Sequence, residues 1–141
     1  MKTLKSLMLG LVMLAVCGVA NAANKPEKLT KNYAITAYVN AMSHGKLAGL
    51  NDAVDASAKF SMLRGTDVIS FSKAEIMNFL KGSEGVEQLC TVRTSEMENN
   101  DNVTVVKVDM KYEHFTRSNY VTIANTGDGW KITNVYSVFS K

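Results

Sequence analysis

The apolar positions of this chain change period about halfway along it, which predicts helices first and strands afterwards. Residues 27–44 repeat small and apolar side chains every three or four positions, the spacing of one helix face, at Ala34, Ala37, Tyr38, Ala41 and Met42. A shorter helix is predicted over residues 47–54. Ser72 and Glu75 form a capping box, in which each side chain binds the other's free backbone N–H. This box predicts a third helix over residues 73–81.

Alternation of apolar and polar residues predicts strands in the rest of the sequence. Short strands are predicted over residues 59–63 and 68–71, and further strands over residues 86–97, 103–115, 120–124 and 130–139. Polar turns separate the later strands at residues 98–102, 117–119 and 125–129. Helices followed by a run of antiparallel strands predict an α+β fold, in which a curved sheet wraps around the first helix.

The beginning of the chain has the organisation of a secretory signal peptide over residues 1–22. Lys2 and Lys5 precede an apolar run over residues 7–19, and Ala20-Asn21-Ala22 supplies small residues before a cut. The run is shorter than the ~20 residues that span a bilayer. We therefore expect export, to the periplasm or beyond, of a mature domain over residues 23–141. A lipid anchor at Cys17 is the alternative, although Val16 is bulky where such a site takes a small residue.

Charge and cysteine content limit the classes of function. Without Lys2 and Lys5, 14 basic and 13 acidic residues remain, so no nucleic-acid partner is expected. Cys90 is then the single cysteine, which excludes an internal disulfide. Its apolar neighbours favour an inert thiol, and a nucleophile is the alternative. Two histidines far apart and one cysteine do not form a metal-ligand pattern, and no cofactor motif is present.

Several short motifs, in order along the chain, resemble the nuclear transport factor 2-like (cystatin-like cone) superfamily. They are Gly45-Lys46-Leu47-Ala48-Gly49-Leu50, Lys59-Phe60-Ser61-Met62, Gly65 with the 72–80 helix, and Gly127-Asp128-Gly129-Trp130-Lys131-Ile132. Within it, the chain is most similar to secreted bacterial proteins called putative lumazine-binding or polyketide-cyclase-like. The resemblance covers nearly all of the mature chain. It implies a cone-shaped roll, a cavity between the first helix and the concave face of the sheet, and a homodimer.

Such a cavity is typically apolar with a few polar groups that orient a ligand. Alternate residues of a strand point to the same face, so strand parity predicts which side chains share a wall of the cavity. On the strand before the 98–102 turn these are the odd-numbered residues from 89 to 97. On the next strand they are the even-numbered residues from 106 to 114, and on the last strand the even-numbered residues from 130 to 138. With the first helix, the resulting ligand-binding candidates are Tyr38, Arg93, Tyr112, His114, Asn134 and Tyr136. Each also has a structural interpretation. Tyr112 and Tyr136 could be core aromatics, and Asn134 could be a structural hydrogen-bonding group. Arg93 could form a salt bridge at the sheet edge, and His114 could be exposed or structurally bonded.

Three functions remain open from the sequence. The first is non-catalytic binding of a small, partly apolar ligand. The second is an enzyme of the dehydratase, isomerase or cyclase type, which needs an acid–base pair; His114 with the distant Asp67 is the nearest approach to one. The chain lacks the His–Asp pair of the catalytic members of the superfamily, which favours the non-catalytic alternative. The third is a homodimeric interaction module, although Lys107, Asp109, Lys111 and Glu113 make the outward strand face highly charged.

Overall fold

The computed structural model describes residues 30–141, and the predicted signal peptide, its cleavage site and Cys17 lie outside them. In chain order the elements are α1 (Lys31–His44), α2 (Leu50–Ala53), β1 (Val54–Arg64), β2 (Asp67–Ser72), α3 (Lys73–Lys81), β3 (Thr91–Asn99), β4 (Val103–Lys111), β5 (Thr116–Thr126) and β6 (Gly129–Ser140). The predicted α+β fold, with helices packed on a curved sheet, is confirmed. Within residues 30–141, no helix combines the length and the apolar character needed to cross a bilayer.

Local chemistry defines both ends of α1. The Thr30 side chain accepts a hydrogen bond from the backbone N–H of Tyr33 at 3.1 Å, and Thr30 itself is extended (ψ 152°). The predicted start at residue 27 was therefore wrong. The helix ends at Gly45, whose φ of +65° lies in the left-handed region that glycine adopts without strain. The capping box at Ser72 is present, and α3 has the predicted bounds.

The six strands form one sheet in the order β2-β1-β6-β5-β4-β3. All neighbouring pairs are antiparallel except β1 and β6, which run parallel in the middle of the sheet. The first strand of the domain is thus hydrogen-bonded to the last one. β3 lies at the far edge, where all but one of its side chains are exposed.

One face of the sheet packs against α1, and we call it the inner face. On β4 it carries the buried Val106, Val108 and Met110, while the intervening residues are less buried. Residues paired in register share a face, so the inner face continues through Val121 on β5 and Val135 on β6. Ala34, Ala37, Tyr38 and Ala41 of α1 cover it. We call the opposite face the outer face.

The turn between β4 and β5 lies earlier than the sequence suggests. The backbone N–H of Tyr112 donates to the carbonyl of Phe115 at 2.8 Å, and β5 begins at Thr116. The polar run Arg117-Ser118-Asn119, which the sequence predicts as a turn, is instead the start of a strand. Ser118 and Asn119 are both buried there. This shift brings three polar side chains into the sheet.

Candidate functional site

A cavity of about 20 Å³ lies between α1 and the inner face, where α3 and β2 close the side. By volume it holds about one water molecule. Its lining is mostly apolar with a few polar groups: Tyr38, Met42, Phe60, Ser61, Met62, Phe71, Ile76, Arg117, Val135 and Ser137. The hollow expected between helix and sheet is therefore present but small.

Tyr38 is the predicted site residue that the structure places in this cavity. Its side chain is 1% exposed, and its hydroxyl makes no hydrogen bond within residues 30–141. Burial raises the pKa of Tyr38 to about 12, although the nearby Arg117 guanidinium acts in the opposite direction. The phenol therefore stays protonated at neutral pH. Its hydroxyl can therefore donate a hydrogen bond to an acceptor atom that enters the cavity.

Arg117 lies beside Tyr38 and is held by two buried neutral side chains. Its Nε donates to Oδ1 of Asn119 at 2.9 Å, and its Nη2 donates to Oγ of Ser137 at 3.4 Å. Asn119 is fully buried and anchors the group by donating from Nδ2 to the carbonyl of Val108 at 3.1 Å. The guanidinium is therefore fixed in position on the inner face.

Aromatic side chains continue from Arg117 to the rim of the inner face. Arg117 lies over the Phe139 ring at 5.8 Å, Phe139 is 6.2 Å from Phe115, and Phe115 stacks on Tyr112 at 4.6 Å between ring centroids. Phe139 also lines an open cleft of about 490 Å³ with Met62, Leu63, Arg64 and Gly65. Met62 lines both this rim cleft and the inner cavity. The two spaces therefore share a methionine side chain in their linings.

Tyr112 stacks on Phe115 at the same rim, but it does not line the inner cavity. Its hydroxyl donates to Oε1 of Gln88 at 3.1 Å, and burial is the main cause that raises its pKa. Gln88 belongs to the segment after α3, which is tied to the end of α1 by hydrogen bonds from Gly85 N–H to the Gly45 carbonyl (3.0 Å) and from Gln88 N–H to the Ser43 carbonyl (2.8 Å). Burial also raises the pKa of the neighbouring Cys90 thiol. A thiol so shifted is a poor nucleophile at neutral pH, which fits the inert interpretation.

Asn134 and Tyr136 do not face the cavity, so their predicted placement was wrong. Asn134 pairs with Thr122, whereas Ile132 pairs with Ile123, and Thr133 is therefore an extra residue in β6. This bulge reverses the parity of the strand. Val135 and Ser137 consequently lie on the inner face, and Asn134 and Tyr136 lie on the outer face.

Arg93 is also on the outer face, contrary to its predicted position. It pairs with Asp109, while the adjacent Val92 pairs with the buried Met110. Within residues 30–141 its side chain forms no ion pair, since the cation near Asp109 is Lys107, with Nζ 3.6 Å from the carboxylate. The predicted alternative of a salt bridge at Arg93 is therefore also absent. The Ser118 hydroxyl donates to the same carboxylate at 2.6 Å.

His114 projects from the turn between β4 and β5, and its side chain is 85% exposed. The carboxylate closest to it in this part of the chain is that of Glu113, with Oε2 at 3.9 Å from Nε2 and a side chain that is 87% exposed. Asp67 is not within 4.0 Å of the imidazole. The acid–base pair considered from the sequence is therefore not formed. Among residues 30–141, no three His, Cys, Asp or Glu side chains are grouped as a metal site would require.

Arg117 and Ser137 line the cavity and Asn119 holds both of them, yet none of the three was predicted as a site residue. A signal was present, since residues 117, 119, 121 and 123 alternate with the other face and end in the apolar Val121 and Ile123. The polar sequence Arg117-Ser118-Asn119 obscured it. Ser137 was missed because the bulge at Thr133 changes the parity of β6.

The architecture is similar to several solved structures. A nuclear transport factor 2-like protein of unknown function from Silicibacter pomeroyi DSS-3 aligns with a TM-score of 0.61 at 14% identity, covering 77% of this chain and 90% of that one. A protein of unknown function from Pectobacterium atrosepticum SCRI1043 gives 0.61 at 15%, with 84% and 94% covered. A structure described as a putative ketosteroid isomerase, from Parabacteroides distasonis ATCC 8503, gives 0.55 at 13%, with 76% and 85% covered. At these identities the likeness shows the fold alone.

Comparison at the level of sequence gives the family. No curated protein sequence matches this chain significantly. The profile of a family described as "Putative lumazine-binding" matches residues 28–137, which is most of the chain and includes α1 and nearly all of the sheet. The resemblance inferred from the short motifs is thus confirmed. The chain belongs to this putative lumazine-binding family, and it has the fold of nuclear transport factor 2-like structures.

Proposed function

We propose that this domain binds a small, partly apolar molecule between α1 and the inner face of the sheet. The observation that carries the proposal is the Tyr38 hydroxyl, which is buried beside the cavity without a partner in residues 30–141. A buried donor left unsatisfied costs about 1–3 kcal/mol. A ligand with a carbonyl or other acceptor oxygen would recover that free energy on binding.

Space for such a ligand requires only side-chain movement. The cavity of about 20 Å³ is too small for an organic molecule, but Met62 also lines the rim cleft of about 490 Å³, and movement of its side chain would join the two spaces. Methionine is unbranched and changes rotamer readily, so Met62 and Met42 can open the passage at low cost. A ligand would then place its apolar body between Met62 and Phe139 and its polar end at Tyr38.

The test is a calorimetric titration of the purified chain with lumazine and with 2-naphthoate, in wild type, Tyr38→Phe and Tyr136→Phe. Both variants remove one phenolic hydroxyl, but Tyr136 lies on the outer face and serves as the matched control. We expect at least one probe to bind the wild type, Tyr38→Phe to weaken binding roughly 5- to 30-fold, and Tyr136→Phe to have no effect. Absence of binding by both probes at millimolar concentration, or equal affinity in Tyr38→Phe, would overturn the proposal.

We also propose export and homodimerisation, which the resemblance and the first 22 residues support. The intact mass of the protein recovered from the periplasm should correspond to a chain that begins at Ala23. A homodimer should give a dimer mass in light scattering at high concentration. A chain that keeps its first 22 residues, or a monomer at all concentrations, would contradict the respective proposal. Nucleic acid is not an expected partner.

A further inference from the structure

We infer that the ligand group recognised next to Tyr38 is a carboxylate, and that Arg117 is the residue that selects it. This inference rests on the proposed binding function and specifies the chemistry of the ligand. Arg117 is half-buried on the inner face, where a permanent positive charge is costly unless an anion compensates it. Within residues 30–141, no carboxylate lies within 4.0 Å of its guanidinium.

The groups that hold Arg117 are neutral, so they orient its charge without cancelling it. Asn119 Oδ1 accepts from Nε, Ser137 Oγ accepts from Nη2, and Nη1 donates to nothing within residues 30–141. Ser137 in turn donates to Asn119 Oδ1 at 2.6 Å, which fixes both acceptors. A guanidinium fixed in this way presents its remaining donors to the cavity in a set geometry.

The donor set fits one planar monoanion. A carboxylate has two oxygens, and Arg117 together with the unpartnered Tyr38 hydroxyl offers each of them a donor. The alternative of a phosphate monoester carries more charge and three acceptor oxygens, which would exceed this single cation and single hydroxyl. Asp109 does not occupy the site, because it lies on the outer face and is bound by Ser118 and Lys107.

The surroundings specify the rest of the ligand. Met62 and Phe139 line the rim cleft, and the Arg117 guanidinium lies over the Phe139 ring at 5.8 Å from its centroid. Arg64 adds a second cation at the cleft, where it would attract an anion before entry. The ligand class is therefore a small aromatic or aliphatic carboxylic acid, bound with its acid group inward.

The test compares 2-naphthoate with 2-naphthamide, which have the same shape and differ in charge, by calorimetry at pH 7. We expect the wild type to prefer the acid at least 10-fold, and Arg117→Gln to lose that preference. Arg93→Gln is the matched control, because it removes an arginine from the outer face, and it should keep the preference. Arg117→Lys retains the charge but not the planar fork, so a reduced preference is expected there.

The outcomes separate this inference from the proposed function. Equal binding of acid and amide by the wild type would overturn the carboxylate assignment and leave small-molecule binding intact. Failure of both to bind would overturn binding itself. An acid preference that survives Arg117→Gln would show that another group selects the anion. If Arg117→Gln does not fold, the preference of the wild type for the acid and its reduction in Arg117→Lys still test the assignment.

Discussion

The hydroxyl of Ser137 donates to Oδ1 of Asn119 at 2.6 Å, and the two side chains are 2% and 0% exposed. They come from neighbouring strands, β6 and β5, and are paired in register on the inner face. Two polar side chains buried this deeply in an apolar wall destabilise the fold unless each polar atom forms a hydrogen bond. Here the pair does so by positioning Arg117, which makes the three residues one unit.

Replacement of Asn119 should therefore be costly. Asn119→Ala removes the acceptor for Arg117 and Ser137 and the donor to the Val108 carbonyl, so we expect the free energy of unfolding to fall by about 2–4 kcal/mol. Urea denaturation measures it. Asn125→Ala on the same strand is the control, since Asn125 is exposed and should cost less than about 0.5 kcal/mol. Similar losses in the two variants would show that the buried network contributes little.

Tyr38→Phe should leave the stability of the unliganded protein unchanged or raise it by up to about 1 kcal/mol at pH 7. The reason is that the lost hydroxyl has no partner in residues 30–141 and is costly to bury. Thermal or urea unfolding at neutral pH measures the change. A loss of about 1 kcal/mol or more would show instead that a bound water satisfies the phenol.

Tyr38 should also make the free energy of unfolding depend on pH in the alkaline range. In the unfolded chain Tyr38 ionises near its ordinary pKa of 10.0, whereas in the folded protein its pKa is about 12. Between these values the unfolded state releases a proton that the folded state keeps, so stability falls as pH rises. Between the two pKa values, the free energy of unfolding should fall by about 1 kcal/mol per pH unit. Unfolding curves from pH 9 to 12 should show a shallower decline in Tyr38→Phe than in wild type, and parallel curves would contradict this assignment.

Gly45→Ala should be far more destabilising than the same change at Gly65. Both residues have a positive φ, +65° and +64°, so the backbone strain is the same. At Gly45, however, a Cβ would lie 2.7 Å from the backbone nitrogens of Gly85 and Val86, whereas at Gly65 it meets nothing within 4 Å. We expect a loss of about 1–2 kcal/mol for Gly65→Ala and at least 2 kcal/mol more for Gly45→Ala. Equal losses in urea denaturation would show that the two segments move apart freely.

Removal of the capping box should weaken α3. Ser72→Ala deletes the acceptor for the Glu75 backbone N–H, and we expect a loss of about 1 kcal/mol in the free energy of unfolding. Ser72→Thr keeps a hydroxyl at the cap, so its free energy of unfolding should be close to that of the wild type. If both variants match the wild type in urea denaturation, the reciprocal hydrogen bonds do not stabilise the helix.

Elements specified by neighbouring residues could be predicted from the sequence. The capping box at Ser72 and Glu75 gave the bounds of α3, and the turn at Gly127-Asp128-Gly129 gave the last hairpin, because both act through hydrogen bonds within a few residues. Tyr38 was identified because the period of α1 is regular. These features need no knowledge of distant partners.

The rest of the site depends on pairing between strands, which the sequence does not state. The extra residue Thr133 changes which side chains of β6 face inward, so Asn134 and Tyr136 were placed on the wrong face. The polar start of β5 forms a strand only because β4 and β6 supply hydrogen-bond partners on both sides. Arg117 was not predicted as a site residue because the local propensity of Arg117-Ser118-Asn119 favours a turn.

The parallel pairing of β1 with β6 also has a consequence for how the chain reaches this structure. β1 and β2 can close a hairpin as soon as they are synthesised, but within residues 30–141 the other strand that pairs with this hairpin is β6, from the far end of the described sequence. The two halves of the domain can therefore join only after β6 has been synthesised and is free to pair. Such long-range closure is entropically demanding, and we expect folding to be slow for a domain of this size.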